Sequence, residues 1–245
     1  MTDEETAING DFNWKTQEVV PSFVYGKDAE LFYNEIRKTI VNGVWYDNDS
    51  KTMRGSNTFL AARADSIIRP LGIRAATLAD LSRPEIIEMI RGEHYSDIPA
   101  IVFRTMKDRY EPNNLLIKKL APQIEEKIGR LELPVLVTGF DVALSEDKEG
   151  HGLNIIPRED FAVLHDERLA GKYNEKTFSE TDELGLPKFG KGNRTWYARK
   201  EGLSRLCLGG DLDLGSDNGG LADSDVSGRV VLVAREAACA EKKAK

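Results

Sequence analysis

Between residues 203 and 235 the chain reads LSRLCLGGDLDLGSDNGGLADSDVSGRVVLVAR, and Leu206, Leu208, Leu212, Leu214 and Ser216 all fall on even positions. An extended backbone sends alternate side chains to opposite faces, so these five would share one face. Arg205, Cys207, Gly209, Asp211, Asp213, Gly215 and Asp217 would then occupy the other. The β-branched run Val230–Val233 closes the segment as a buried final strand.

Upstream of this segment the pattern is helical first and extended later. Leu31, Phe32, Ile36, Ile40 and Val41 recur at three- and four-residue steps from Asp28, with Gly43 as a stop. A second helix is predicted over 56–68, where Phe59, Leu60, Ala64, Ile67 and Ile68 form one stripe ahead of Pro70. A third begins at Ser82, which has capping-box spacing to Glu85, with Pro84 in its first turn. Leu115–Ile128 forms a fourth, with Pro122 in its middle. Ile98–Phe103 and Val135–Val142 read as strands, the second with a bulge at Gly139, and Asn154–Pro157 and Phe161–Leu164 as weaker ones. Ser145–Gly152 reads as a charged loop, and residues 171–193 as a long surface excursion before a last β region opening at Thr195–Ala198. With no βαβ repetition and no solenoid period, the expected class is α+β. The expected organisation is an N-terminal arm over 1–26, one domain over 27–235 and a charged tail over 236–245.

A chain of 245 residues can bury a core without disulfides, and its 40% apolar and 31% charged content is that of a globular protein. The net charge of −7 argues against a phosphate-binding surface, so no nucleic-acid partner is expected. Two cysteines, Cys207 and Cys239, make neither a disulfide framework nor a zinc site. The acidic start, Met1-Thr2-Asp3-Glu4-Glu5, lacks the regions of a signal peptide, and no apolar run is long enough to span a bilayer. Synthesis in the cytoplasm without a membrane span is the expectation.

Composition singles out the same C-terminal segment. Lys, Glu, Gln, Met and Trp make up 48 of the 245 residues but none of the 34 in 202–235, where about seven would be expected from the chain average. The alternative reading of the segment is a glycine- and aspartate-rich loop region leading to a buried final strand, Val230–Val233. The framework Gly202-Leu203, Leu206, Leu208, Leu212, Leu214, Ser216, Leu221-Ala222, Ser224 and Gly228-Arg229-Val230-Val231 resembles the C-terminal variable region of diversity-generating retroelement variable proteins, most closely the archaeal and archaeal-virus members. The resemblance extends more weakly to Arg54-Gly55-Ser56-Asn57 and Ala76-Thr77-Leu78-Ala79-Asp80-Leu81.

That resemblance implies a C-type lectin-like fold whose irregular late strands display variable residues. It also implies a mechanism in which a reverse transcriptase misreads template adenines, mainly in Asn codons. Randomising those adenines can yield Asn, Asp, Ser, Gly, Arg, Cys, Val and several others, but never Lys, Glu, Gln, Met or Trp. The implied ligand-binding positions are the residues interleaved with the framework. They begin with Ser204, Arg205, Cys207, Gly209, Gly210, Asp211, Asp213 and Gly215. They continue with Asp217, Asn218, Gly219, Gly220, Asp223, Asp225, Val226 and Ser227. The implied partner is an unknown protein or surface ligand that changes with each variant, with no cofactor and no catalysis. Strong aromatic anchors are missing from the segment, which holds neither Tyr nor Trp.

The competing class is a calcium-dependent carbohydrate-binding domain, or an enzyme, on a related fold. Asp211, Asp213, Gly215 and Asp217 suggest a calcium loop, but Gly215, Ser216 and Ala222 stand where an EF-hand needs a ligand, Gly and Glu. His94, His151 and His165 each lie alone, without metal-binding spacing. His165-Asp166 and Cys207 offer a nucleophilic pair only if the fold brings them together. Trp45-Tyr46 and Trp196-Tyr197 read as packing, with Trp196 supporting the variable segment.

Overall fold

The computed structural model describes residues 21–146 and 150–234, so most of the expected arm, three residues of the charged loop and the expected tail lie outside the described residues. Among the described residues there are four α-helices: α1 (Lys27–Arg37), α2 (Thr58–Ile68), α3 (Pro84–Ile90) and α4 (Glu111–Ile128). In α1 Phe32 and Ile36 are buried while Leu31 is exposed, so its apolar stripe is narrower than its sequence suggests. Helix α2 starts where Asn57 Oδ1 accepts the Leu60 N–H at 2.8 Å, which satisfies one donor of the open first turn. Phe59, Leu60, Ala64 and Ile68 are all buried on it.

Two expectations about helix ends are corrected. Ser82 does not cap α3, because its hydroxyl bonds Thr181 Oγ1 at 2.8 Å, and Glu85 turns to Arg83 at 2.5 Å. Helix α4 begins at Glu111 rather than Leu115 and runs unbroken through Pro122. Proline there removes a single N–H, and buried Leu116, Leu120 and Ile124 hold the helix on both sides of it.

The strands are short. In the first half they are β1 (Ser22–Phe23), β2 (Trp45–Asp47), β3 (Thr52–Arg54), β4 (Ile73–Ala75), β5 (Ser96–Asp97), β6 (Ala100–Phe103) and β7 (Val135–Leu144). In the second half they are β8 (Leu153–His165), β9 (Lys176–Thr181), β10 (Pro187–Phe189), β11 (Arg194–Ala198), β12 (Leu203–Ser204), β13 (Cys207–Leu208), β14 (Leu214–Ser216) and β15 (Val231–Ala234). The central sheet has the order β12-β6-β7-β8, all antiparallel. A second sheet, β10-β9-β11-β14-β13-β5, is antiparallel except where β11 and β14 run parallel. The final strand β15 lies between β1 and β4, and β2 and β3 pair alone. The protein is therefore α+β, built on several small sheets.

Period-two alternation divides the core. Ile101 and Phe103 on β6, with Val135 and Val137 on β7, face the helices and pack with Phe32, Phe59 and Leu120. Ala100, Val102 and Leu136 point the other way, into a second cluster with Phe178, Trp196, Leu206, Leu208 and Leu214. Leu206, Leu208 and Leu214 of the late segment thus pack beneath the central sheet, around the fully buried ring of Trp196. Gly139 sits at a bulge in β7 with φ +72°, and a Cβ there would lie 2.1 Å from Asp160 O. The two weak strand candidates after it fuse into the single long β8. Residues 171–193 are also not a mere excursion. They supply β9 and β10, and Phe178 and Leu186 enter the second core, with Tyr173 and Phe189 packed against it.

Candidate binding face

The late segment enters through Gly202, whose φ of +69° suits glycine and whose missing Cβ leaves room for Asp108. The Leu203 N–H then donates to Asp108 Oδ2 at 2.8 Å, and β12 pairs with β6. Strands β13 and β14 form a hairpin with Leu208 opposite Leu214 on the buried face and Cys207 opposite Gly215 on the other. Its turn is closed by Gly209 N–H to Asp213 O at 3.0 Å and Leu212 N–H to Gly209 O at 2.9 Å. Leu206, Leu208, Leu214 and Leu221 are buried. Leu212 is only half-buried, because it occupies the turn at φ +71°.

Of the interleaved positions, Asp211, Asp217, Asn218, Asp223, Asp225 and Val226 are exposed. Cys207, Gly209, Gly210, Asp213, Gly215, Gly219, Gly220 and Ser227 are half-buried. Ser204 and Arg205 depart from the expected display and are buried. Arg205 Nε lies 2.7 Å from Asp97 Oδ1, its Nη2 donates to Asp97 Oδ2 at 2.9 Å, and its Nη1 donates to Asp223 O at 2.7 Å. Burial alone would lower its pKa, but the Asp97 carboxylate raises it, so this cation stays charged. Its guanidinium also lies over the Tyr95 ring at 5.0 Å. Ser204 Oγ is 2.9 Å from Ser216 Oγ, and both hydroxyls accept from the buried Arg104, at 2.6 and 2.8 Å. Arg104 Nε donates to Leu169 O at 2.6 Å, and burial together with nearby Arg199 lowers its pKa to about 9.

The glycines separate along the same lines. Gly209, Gly210, Gly215, Gly219 and Gly220 all have backbone conformations open to other residues, since none has a positive φ. A Cβ at Gly220 or Gly209 would first meet the movable carboxylate of Asp223 or Asp211. At Gly228 it would lie 2.5 Å from Ser56 N, and at Gly55 (φ +108°) 2.2 Å from Gly43 O, both fixed backbone atoms. Among the interleaved five, a Cβ at Gly210 would lie 3.1 Å from the backbone oxygen of His94, and Gly219 is the most restricted. A Cβ there would overlap the Arg199 guanidinium, which is held by Asp108 Oδ1 at 2.7 Å and Leu203 O at 2.8 Å.

The upstream motifs brace this face from below. Gly55 N–H donates to Gly228 O at 2.8 Å, Ser56 N–H to Ser224 Oγ at 2.8 Å, and Asn57 Nδ2 to Ala222 O at 3.0 Å. Ala76 N–H donates to Val231 O at 2.8 Å at the start of the final strand. From the other side Asn113 Nδ2 donates to Asp108 Oδ2 at 2.7 Å and Gly219 O at 2.9 Å. Asn113 Oδ1 therefore accepts from His151 Nε2 at 2.8 Å, which places the His151 proton on Nε2. Burial pushes the His151 pKa down to about 4, against smaller opposing effects of Asp223 and Asp108.

An open concavity of about 460 Å³ lies in this face, lined by Asp217, Asn218, Gly219, Gly220 and Asp223 with Arg109, Tyr110 and Arg199. Not every aspartate is free to meet a partner. Asp213 accepts the Thr195 N–H, and Asp211 Oδ1 accepts the Asp213 N–H at 3.1 Å. Hydrogen bonds from Ser227 hold Asp225 below the usual carboxylate range. The Asp217 and Asp223 carboxylates make no hydrogen bond or ion pair with other described residues. A second, apolar concavity of about 500 Å³ lies elsewhere, lined in part by Leu78, Leu136, Ala162, Leu164 and Leu184, and contains none of the expected site residues.

The rival chemistries find different surroundings. Burial pushes the Cys207 thiol up to about 12, with nearby Asp97 acting in the same sense, so it stays protonated at neutral pH. His165 Nδ1 is bonded to Glu132 O at 2.9 Å and Asp166 is paired with Arg168. Among the described residues no group of three or more His, Cys, Asp or Glu could hold a metal ion. None of their helices is long and apolar enough to cross a membrane. Asp97, Arg104, Asp108, Asn113 and Arg199, which fix the face, escaped the sequence reading. Several of their partners lie some 90 to 110 residues away in the chain (Leu203 is 95 positions from Asp108, and Arg205 is 108 from Asp97), so no local spacing marks them. Comparison with known protein families, curated proteins and solved structures finds no match to this chain.

Proposed function

We propose that this chain is a ligand-binding protein without catalytic activity, whose face over residues 207–227 is diversified by adenine-directed retroelement mutagenesis on a C-type lectin-like scaffold. The contrast between its glycines supports this reading best. Gly55, Gly202 and Gly228, which belong to the framework, would each drive a Cβ into Asp108 or into fixed backbone, whereas Gly209 and Gly220 would displace only movable carboxylates. A surface that must accept many sequences needs positions where a side chain can be added without moving the core. Ser204, Arg205 and Gly219 fall on the supporting side of that division, and the adaptable set is correspondingly smaller. Paratopes are built on the same separation, with small polar residues on a rigid scaffold. The ligand is an unknown protein or surface component specific to each variant.

A comprehensive substitution scan over 202–229, read by protease resistance of the displayed chain, tests this reading. Positions 209, 211, 217, 218, 220, 223, 225 and 226 should accept most residues, while 202, 204, 205, 206, 208, 214, 216 and 228 should not. Sensitivity spread evenly over both sets would overturn the proposal. A library randomised at the tolerant positions should also yield binders when selected against an unrelated folded protein.

A further inference from the structure

The concavity in this face is lined in part by residues from outside the late segment, and one of them is a large, exposed aromatic. Tyr110 is 45% exposed. It is also held in place. It sits at the N-cap of α4, its N–H donates to Asp108 Oδ1 at 3.0 Å, and its carbonyl accepts the Asn113 N–H at 3.0 Å. The His151 ring meets its ring edge-on with centroids 5.8 Å apart. Across the concavity stand Asp217, Asn218, Gly220 and Asp223, which are short and carry no aromatic group.

Resting on the proposed function, we propose that Tyr110 is a constant aromatic anchor that contacts ligand in every variant of this face. Binding energy concentrates in aromatic and arginine side chains that sit in partly enclosed surfaces, and Tyr offers a large contact area at low entropic cost. In this chain the interleaved Gly, Asp, Asn and Ser supply little of that area. Tyr110 lies 92 positions before Gly202, outside the segment under diversification, so its contribution survives every change made there. The volume of about 460 Å³ admits one protruding side chain from a partner protein. An aromatic ring or a guanidinium from the partner is the group that a phenol ring would hold by stacking.

The full chain, displayed on yeast and randomised at Asp217, Asn218, Gly220, Asp223 and Asp225, would be selected against hen lysozyme as the probe. Tyr110→Ala, Tyr110→Phe and, as a remote control on an exposed side chain, Arg130→Ala would then be placed in each binder. Tyr110→Ala should weaken binding by about tenfold or more in most binders, as for other interface hot spots. Tyr110→Phe and Arg130→Ala should change it by less than about threefold, and protease resistance should be unchanged in all three. If Tyr110→Ala is as mild as Arg130→Ala in most binders, the anchor is refuted while the variable face stands. If Tyr110→Ala abolishes protease resistance, Tyr110→Phe and Tyr110→Leu decide instead: equal affinity for both refutes an aromatic contact. If the library yields no binder at all, both the anchor and the proposed function fall.

Discussion

Acidification should weaken this fold through one histidine beneath the candidate binding face. His151 is wedged against the Phe59 and Tyr110 rings, with Nε2–H donated to Asn113 Oδ1 at 2.8 Å. Burial lowers its pKa to about 4, against an ordinary value of 6.5. The unfolded chain therefore takes up this proton at a higher pH than the folded one. The stability due to the neutral imidazole is fully present above pH 6.5 and is progressively lost as the pH falls towards 4. Each unit is worth about 1.36 kcal/mol, so the loss is about 2 kcal/mol at pH 5 and about 3 kcal/mol at pH 4. Urea melts of the native chain and of His151→Gln, at pH 7.5 and pH 5, isolate this effect, because carboxylates and His94 contribute equally to both. Gln is neutral at both pH values and keeps a donor for Asn113. The native chain should lose about 2 kcal/mol more than the variant over that interval. Parallel losses in the two proteins, or a His151 NMR titration midpoint near 6.5 in the folded state, would refute the reasoning.

Other predictions address the split between support and display. Ser204→Ala and Ser216→Ala should each cost about 1–3 kcal/mol in denaturant melts, because either change removes an acceptor from buried Arg104. Asp217→Ala, one residue beyond Ser216 and exposed, should cost about 0.5 kcal/mol or less. Asp97→Ala should cost about 3–5 kcal/mol by leaving the buried Arg205 cation unpaired, whereas Asp211→Ala should behave as a surface change. Gly228→Ala should lower the melting temperature by several degrees, and Gly220→Ser should leave it unchanged within the error of a thermal scan.

The helices were legible because their apolar residues repeat at the helical period over two or more turns, as Phe59, Leu60, Ala64 and Ile68 do. The leucine parity was legible for the same reason, and Leu206, Leu208 and Leu214 are buried as it requires. The sheet order was not. Strands of two or three residues such as β5, β12 and β13 carry no period, and their pairing depends on partners far away in the chain. Parity also misplaced Arg205, since an odd position in an extended segment faces water only if nothing covers it. Here Tyr95 and Asp97 cover it, and neither is announced by its neighbours. Ser204 was misjudged because a small polar residue fits a surface loop and a buried hydrogen bond equally well, and only Arg104 decides between them. At the candidate face, composition marked out the segment, but the residues that hold it in shape were invisible.

Those hidden residues determine which positions can vary. Asp108, buried beside the concavity, accepts from Tyr110 N, Arg199 Nη2, Asn113 Nδ2 and Leu203 N. One carboxylate thus joins the start of α4, the residue following β11 and the first strand of the late segment. Its four donors leave little acceptor capacity unused, so any group forced into this space displaces a hydrogen bond. Gly202 and Gly219 must remain glycine on that account, since one abuts Asp108 and the other the guanidinium that Asp108 holds. At the exposed positions nearby this constraint lapses. Asp217 and Asn218 point into solvent, and Gly220 faces only the Asp223 carboxylate. The pattern of tolerance is therefore set by alternation along the strand together with a few buried polar contacts: Asp108, with Arg199, fixes Gly202 and Gly219, Arg104 holds Ser204 and Ser216, and Asp97 holds Arg205. A surface organised in this way can exchange its outer residues freely while Tyr110, anchored to the same carboxylate through its N–H, keeps a fixed place among them.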